Sequence, residues 1–288
     1  MQVRSNKIKD IREHYTLMIG EIYPSEEAAS MFDLLLESLL GISRVERAAN
    51  PALRISESEI LKIHFAVKEL IKHRPVQYVL GEAWFCDLRL FVDERVLIPR
   101  PETEELVEWI VETYGNKHPA AVLDIGTGSG CIALALKNAF PAAEVFALDI
   151  SPAALNVVRI NAERTQLELN LVQADITDVS AMYQLPQFEV IVSNPPYVTH
   201  AEKSAMRKNV LDFEPGQALF VEDNDPLIFY RDIAALASQR LKPDGMLFLE
   251  INERFGRQTQ DLLRQSGFKH TQLRKDLSGK DRMIRAGF

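Results

Sequence analysis

Four consecutive residues, Asn194-Pro195-Pro196-Tyr197, follow the apolar stretch 190–193 and carry groups that could hold a planar nitrogen. The Asn194 side-chain carbonyl and the Pro195 backbone carbonyl can accept two N–H hydrogen bonds, and the Tyr197 ring offers a flat stacking surface. The prolines restrict the backbone, so a bound amide or amine would present its nitrogen in one direction. Because ligands of open α/β sheets bind beyond the carboxyl ends of strands, this position favours nitrogen chemistry over an ordinary proline-rich turn.

A glycine-rich loop, Gly126-Thr127-Gly128-Ser129-Gly130, lies between a predicted strand and a predicted helix over 132–140. Alternating glycines let the backbone pass close to a ligand, and a helix N-terminus supplies free N–H groups. Dehydrogenases use a similar loop, but theirs has the spacing Gly-x-Gly-x-x-Gly, whereas this one is Gly-x-Gly-x-Gly. The spacing weakens the dehydrogenase interpretation.

Acidic residues end the next two predicted strands. Asp149 comes about twenty residues after the loop, where a carboxylate can accept both hydroxyls of a ribose. Asp175-Ile176 follow the strand after that and could reach the edge of an adenine ring. Each acid could instead cap a helix. Together with the loop, they favour a ligand that contains a nucleoside.

Alternating strands and helices must position these groups. Strands are predicted at 121–125, 144–149, 169–174, 188–193 and 246–251, each but the last followed by a plausible helix. This succession predicts an α/β fold, a mostly parallel sheet with helices on both faces. Residues 268–273 and 283–288 flank a polar glycine loop and predict a closing antiparallel pair.

The first eighty residues follow a helical pattern. Ser56 and Glu59 have the spacing of a capping box before an apolar helix. Residues 84–85 and 88–92, separated by Cys86-Asp87, predict a short hairpin, and Pro101 suits the first turn of a further helix. The expected division is a helical domain over 1–80, a hairpin linker over 81–98 and an α/β domain over 99–288.

Composition excludes several classes. The 288 residues are 47% hydrophobic, which supplies a large core, and the net charge of −8 argues against a broad basic surface for nucleic acid. The two cysteines, Cys86 and Cys131, lie far apart and show no metal-ligand spacing, so no metal is expected. No signal peptide or membrane-spanning run is expected, and the reduced cytoplasm is the expected location.

The glycine loop with Asp124, Asp149 and Asp175 resembles the S-adenosylmethionine site of Rossmann-like methyltransferases, and Asn194 to Tyr197 resembles the motif of their amino-methylating branch. Further segments resemble the PrmC/HemK family, the peptide chain release factor glutamine methyltransferases, from about residue 70 onward. They are Arg74-Pro75-Val76-Gln77-Tyr78-Val79-Leu80-Gly81, Leu97-Ile98-Pro99-Arg100-Pro101-Glu102-Thr103-Glu104, Phe213-Glu214-Pro215 with Ala218-Leu219, and Lys275-Asp276-Leu277 with Asp281-Arg282.

The resemblance implies a Rossmann-like, seven-stranded, mostly parallel sheet with an antiparallel C-terminal strand. It also implies methyl transfer from S-adenosylmethionine to the glutamine amide of the Gly-Gly-Gln loop in class I release factors. Gly126 to Gly130, Asp149, Asp175 and Ile176 would hold the cofactor, with Asn194 between cofactor and substrate. Asn194, Pro195 and Tyr197 would be catalytic. The substrate would meet Asn194, Pro195, Pro196 and Tyr197, with Arg100, Glu102 and Thr103 near the entrance, although acids at a helix N-terminus also have a purely helical explanation.

Three positions depart from the family pattern. Ile176 stands where an aromatic residue is common, so aliphatic contact would replace stacking on the adenine. Asn252 stands where a glycine is expected after Glu250-Ile251. Asp225-Pro226 replaces the usual Asp-Gly, which leaves the conformation of that loop open.

Two other functions compete with this interpretation. The segment Asn194 to Tyr197, here called the clamp, could also hold the amine of a flipped base, as in a nucleic-acid amino-methyltransferase. Such enzymes usually need a basic surface or an added recognition domain. A non-catalytic module could retain S-adenosylmethionine as a structural ligand, although it would have no need for Asn194 beside an intact glycine loop.

Overall fold

The computed structural model describes residues 4–50, 52–115, 117–178 and 184–288. The chain divides into two compact units, one running up to Gly81 and including Arg207–Phe213, the other comprising Glu82–Met206 and Glu214–Phe288. Among the described residues, no helix is both long and apolar enough to cross a membrane. Nor do the described His, Cys, Asp and Glu side chains form a group of three that could bind a metal ion.

The α-helices of the described residues are, in chain order, α1 (Ile8–Gly20), α2 (Ser25–Leu40), α3 (Arg44–Ala49), α4 (Glu57–Leu70), α5 (Val76–Leu80), α6 (Pro101–Tyr114), α7 (Cys131–Ala139), α8 (Pro152–Thr165), α9 (Lys208–Phe213), α10 (Ile228–Arg240) and α11 (Gly256–Gln265). The strands are β1 (Ala83–Phe85), β2 (Leu88–Leu90), β3 (Ala121–Ile125), β4 (Glu144–Asp149), β5 (Asn170–Gln173), β6 (Phe188–Ser193), β7 (Val198–Thr199), β8 (Phe220–Val221), β9 (Leu241–Glu250), β10 (His270–Lys275) and β11 (Asp281–Gly287).

The first unit is helical, and local signals in its sequence explain where its helices begin. The capping box predicted before α4 is confirmed, because Glu59 N–H donates to Ser56 Oγ at 3.3 Å and Ser56 N–H donates to a Glu59 carboxylate oxygen at 2.7 Å. The apolar faces of α1, α2 and α4 meet in one core around Phe32, which is fully buried. Burying such a side chain contributes about 1.5–3 kcal/mol.

The second unit is built on a seven-stranded sheet of order β10-β11-β9-β6-β3-β4-β5. The five strands from β9 to β5 are parallel, and β11 runs antiparallel to both of its neighbours, so the predicted α/β fold with an antiparallel C-terminal strand is confirmed. Helices α6, α7 and α8 cover one face, and α10 and α11 cover the other. Both faces of the sheet are therefore shielded from water, which accounts for the nearly continuous apolar sequences of the strands.

The register of the central strands brings three loops to one edge. Ile125 at the end of β3 pairs with Ser193 at the end of β6 and with Leu148 near the end of β4. Because parallel strands end at the same edge, the glycine loop, Asp149 and Asn194 leave the sheet side by side.

Several element boundaries differ from the sequence-based expectation. Strand β9 begins at Leu241 rather than Met246, because Leu241 already pairs with Phe188 of β6; the register then shifts, and Val190 pairs with Met246. The hairpin expected as a linker lies within the second unit, since Phe85 and Leu90 are buried in its core. Its two turn residues, Cys86 and Asp87, have φ of 45° and 62°, the left-handed conformation that tight hairpins require. The helix expected between β5 and β6 falls partly on residues 179–183, outside the described residues.

Candidate active site

A cavity of about 510 Å³ opens at the carboxyl edge of β3, β4 and β6. This volume is typical of a site for a small-molecule ligand. Six of the predicted cofactor residues line the cavity: Gly126, Gly128, Asp149, Asp175, Ile176 and Asn194. Pro195 and Pro196 line it as well. The sheet thus brings together residues that the sequence separates by up to 70 positions.

The glycine loop presents bare backbone to this cavity. Gly126 and Gly128 have φ of 69° and 55°, and a Cβ atom at either position would meet no atom within 4 Å. Backbone N–H groups of Gly126 and Thr127 donate to Leu148 O at 2.8 and 2.9 Å, which ties the loop to β4. The left-handed backbone, rather than lack of room, therefore explains glycine at these two positions.

Thr127, Ser129 and Gly130 do not line the cavity but build the turn. Thr127 Oγ1 donates to Asp124 at 2.6 Å, and the Ser129 carbonyl accepts from Asn161 Nδ2 at 2.9 Å. A Cβ atom on Gly130 would come within 3.0 Å of the Val158 side chain. Within the loop, Gly126 and Gly128 thus line the ligand cavity, whereas Ser129 and Gly130 lie against α8.

Asp149 holds the loop and faces the cavity at the same time. Gly128 N–H donates to its Oδ2 at 2.9 Å and Ser151 N–H to its Oδ1 at 2.9 Å. Burial raises the pKa of Asp149, while these backbone N–H groups favour its ionised form. Each carboxylate oxygen keeps lone-pair capacity for a further donor, such as a ribose hydroxyl.

The next strand places Asp175 and Ile176 on the cavity wall. Asp175 Oδ1 accepts from the backbone N–H and the hydroxyl of Thr177, at 2.9 and 2.8 Å, so this acid also closes a local turn. Ile176 packs beside the core on the α10 face. An aliphatic side chain thus lines the cavity at the position where the family commonly has an aromatic residue.

Asn194 lies where the large cavity meets a smaller one of about 50 Å³. Its Nδ2 donates to Thr103 Oγ1 at 3.1 Å, and Thr103 Oγ1 donates to Glu250 Oε2 at 2.6 Å. No described residue donates a hydrogen bond to the Asn194 Oδ1 atom. Asn194 therefore offers a carbonyl acceptor to a ligand.

Tyr197 lines the smaller cavity and is held at both ends. Its hydroxyl donates to Glu250 Oε1 at 2.9 Å, and its backbone carbonyl accepts from Asn252 Nδ2 at 3.0 Å. Burial and the charge of Glu250 raise its pKa well above the ordinary value, so the phenol stays protonated. Asn252, a departure from the family pattern, thus supports the clamp segment.

Arg100 and Glu102 separate in the structure. Arg100 lines the smaller cavity and forms an ion pair of 2.5 Å with Glu214, a buried acid that also accepts from Ile98 N–H at 3.2 Å. Glu102 lines neither cavity. The Asp225-Pro226 departure is stabilised locally, because Arg231 donates two hydrogen bonds of 3.0 Å to Asp225.

Sequence reasoning missed the supporting role of three buried polar residues at the site. Asn161 on α8 bonds both Phe91 and the glycine loop, Glu250 ends β9, and Asn252 follows it. Asn161 lies three residues after Val158 on the apolar face of α8, and a polar residue at such a position is a usable signal. The two others carry no motif of their own.

Asp124 should make stability depend on pH. It is fully buried, its Oδ1 has no hydrogen-bond partner among the described residues, and burial raises its pKa to about 7. Between the unfolded pKa of about 3.9 and the folded value of about 7, the folded state holds a proton that the unfolded state has lost, so stability falls as pH rises. The loss should approach about 1.4 kcal/mol per pH unit in this range.

Urea unfolding of the ligand-free protein and of Asp124→Asn across this pH range tests that expectation. The difference in unfolding free energy between them should shift steadily in favour of the variant as pH rises. A difference that stays constant with pH would contradict the raised pKa.

Two solved methyltransferase structures have a similar fold. A methyltransferase from Pyrococcus furiosus matches with a TM-score of 0.51 and 18% identity over 81% of this chain and 100% of that one. The Thermus thermophilus 16S rRNA N2 G1207 methyltransferase (RsmC), solved with AdoMet and guanosine, matches with a TM-score of 0.51 and 20% identity; the match covers 72% of this chain and 49% of that one. The sheet order and these matches give the protein the fold of the Rossmann-like methyltransferases.

Sequence comparison narrows this class. The family model "Methyltransferase small domain" matches residues 103–213, and the model "PrmC N-terminal domain" matches residues 11–81. A protein of Flavobacterium psychrophilum named release factor glutamine methyltransferase is 42% identical over 98% of this chain and 99% of its own length. A protein of the same name from Bacteroides thetaiotaomicron is 40% identical over 93% and 95%. The chain belongs to the family of release factor glutamine methyltransferases.

Proposed function

We propose that this protein transfers a methyl group from S-adenosylmethionine to the side-chain amide nitrogen of the glutamine in the Gly-Gly-Gln loop of a class I peptide chain release factor. The carrying observation is that Asn194 lines both cavities and binds Thr103 through its Nδ2 group, so that its Oδ1 acceptor is left for a ligand. Family membership supports the release factor as substrate. A cytoplasmic location follows from the proposed substrate, because release factors act on ribosomes.

The large cavity suits S-adenosylmethionine, which supplies an electrophilic methyl group when bound. Asp149 would accept the ribose hydroxyls, and the exposed backbone of Gly126 and Gly128 would let the ligand approach closely. Ile176, with Ile150 and Phe229 on the cavity wall, would enclose the adenine by apolar contact. Thr127, Ser129 and Gly130 would act indirectly, by shaping the loop.

On the substrate side, the target amide would be held by two acceptors. Asn194 Oδ1 and the Pro195 backbone carbonyl would each accept one N–H of the glutamine, and the Tyr197 ring would pack against the amide plane. An amide nitrogen is a poor nucleophile because its lone pair is delocalised, so orientation and increased electron density matter most. Orientation of this kind can be worth up to about 7–11 kcal/mol in favourable systems.

The transfer step requires no strong base. The glutamine nitrogen would form a bond to the methyl carbon that bound S-adenosylmethionine supplies, and the sulfur would keep the electron pair of the bond that breaks. One N–H proton then passes to water. The Asn194 and Pro195 carbonyls would favour this step because both N–H bonds become stronger donors as positive charge develops on nitrogen.

The smaller cavity gives the rest of the substrate a place to lie. Leu97, Val198 and Leu219 line it with Arg100 and Tyr197, a largely apolar wall with one cation at its edge. Arg100, which lines the smaller cavity, would contact the release factor loop, and Glu102 would contact it outside the two cavities. Recognition of the remaining release factor surface is assigned to the helical unit, which matches the PrmC N-terminal family model.

Labelled S-adenosylmethionine tests the proposal directly. The protein is incubated with intact release factor, with a release factor whose Gly-Gly-Gln glutamine is replaced by alanine, with rRNA and with DNA. Label should appear only on the unaltered release factor, on the glutamine side chain. Label on nucleic acid alone would establish the competing nucleic-acid methyltransferase, and label on no substrate would favour a non-catalytic module.

A further inference from the structure

We propose that Thr103 and Glu250 are positioning residues that set which way round the Asn194 amide faces. An asparagine amide can rotate by half a turn and exchange its oxygen for its NH₂ group, and only one of the two orientations presents an acceptor to a substrate amide. This inference rests on the proposed function and gives Thr103 and Glu250 a role other than contact with the substrate.

Hydrogen-bond direction along the three side chains carries the argument. A hydroxyl has one proton, and the Thr103 proton is given to the Glu250 carboxylate across 2.6 Å, the length of a charge-assisted bond. The remaining lone pairs of Thr103 Oγ1 can only accept, and Asn194 Nδ2 lies 3.1 Å away. The opposite orientation of Asn194 would set its oxygen against the Thr103 oxygen with no proton between them.

The fold explains why these groups meet. Ser193 pairs with Leu249 in the parallel register of β6 and β9, so Asn194 and Glu250 come next on adjacent strands. Thr103 lies in the first turn of α6, which begins at Pro101. Glu250 and Thr103 are 1% and 2% exposed, so water cannot readily substitute for either partner.

Glu250 accepts one hydroxyl hydrogen bond at each of its two oxygens. Burial raises its pKa, but the Thr103 and Tyr197 hydroxyls and the charge of Arg282 favour the carboxylate. The Oε1 atom of Glu250 accepts from the Tyr197 hydroxyl at 2.9 Å. One buried carboxylate therefore orients Tyr197 directly and Asn194 through Thr103. Arg282 is itself held by Asp276 at 3.0 Å.

Three variants separate positioning from general stability. Thr103→Val removes the hydroxyl at nearly constant volume and should lower kcat for release factor methylation roughly ten- to a hundredfold, with cofactor affinity and substrate KM little changed. Thr103→Ser keeps the hydroxyl and should restore most of the rate. Thr113→Val on the same helix, whose hydroxyl bonds the Trp109 carbonyl at 2.7 Å, serves as the matched control and should retain full activity.

The decisive measurement is a double-mutant cycle with Asn194→Ala. If Thr103 acts through Asn194, Thr103→Val should add almost nothing to the loss already caused by Asn194→Ala. The inference would be overturned if Thr103→Val lowered kcat by the same factor in the Asn194→Ala background as in the wild type. It would also be overturned if Thr103→Val alone had the kcat of the wild type. Glu250→Gln, which can donate as well as accept, should also lower kcat.

Wild-type protein in the same assay separates the two proposals. If wild type does not methylate the release factor, the proposed function fails. If wild type is active and Thr103→Val is equally active, only the positioning role fails.

Discussion

Replacing Asn194 by alanine is expected to lower kcat for release factor methylation by about a hundredfold or more. The variant loses the Oδ1 acceptor that would orient the glutamine nitrogen and strengthen its hydrogen bond as charge develops. Cofactor affinity should change little, since the ribose and adenine contacts assigned to Asp149 and Ile176 remain. Steady-state kinetics with labelled cofactor, together with calorimetry using S-adenosylhomocysteine, measures both quantities.

A matched control is Asn170→Ala, which removes an exposed asparagine at the start of β5 and should leave both quantities unchanged. Near-normal turnover of Asn194→Ala on intact release factor would remove Asn194 from the catalytic role. A parallel loss of cofactor affinity and turnover would instead assign Asn194 to the cofactor side of the site.

Replacing Asp149 by alanine is expected to weaken cofactor binding by at least about tenfold, since hydrogen bonds to a charged group contribute about 1.5–3 kcal/mol each. Two effects combine: the ribose hydroxyls lose their acceptor, and Gly128 N–H loses the 2.9 Å bond that holds the loop. Asp149→Asn keeps one carbonyl oxygen and should fall between wild type and alanine. Calorimetry with S-adenosylhomocysteine gives the three affinities.

The thermal stability of the ligand-free variants separates these two effects. A loop effect alone would lower stability and affinity together, whereas loss of the ribose contact lowers affinity at nearly unchanged stability. Asp261→Ala is a suitable control, because Asp261 is exposed on α11 and pairs only with Arg264 at 3.1 Å among the described residues. Unchanged affinity in Asp149→Ala would exclude the ribose role.

Much of the site could be predicted because its signals are local. The glycine spacing, the acid after the next strand and the Asn-Pro-Pro-Tyr segment each lie within a few residues of a strand end. Parallel strands then bring those ends to one edge by general rules of α/β sheets. The roles within the glycine loop were less predictable, since the sequence does not distinguish the residues facing the cavity from those facing α8.

The sequence by itself determined the parallel sheet, the helical first unit and the chemistry expected of Asn194 to Tyr197, because periodicity, capping and turn residues act over short distances. Only the tertiary structure decided which way Asn194 faces. Its direct partner, Thr103, lies 91 positions away, and Glu250 lies 147 positions from Thr103. An acid that ends an apolar strand shows no periodic signal of its role, because the direction of a hydrogen bond between distant side chains exists only after the strands have paired.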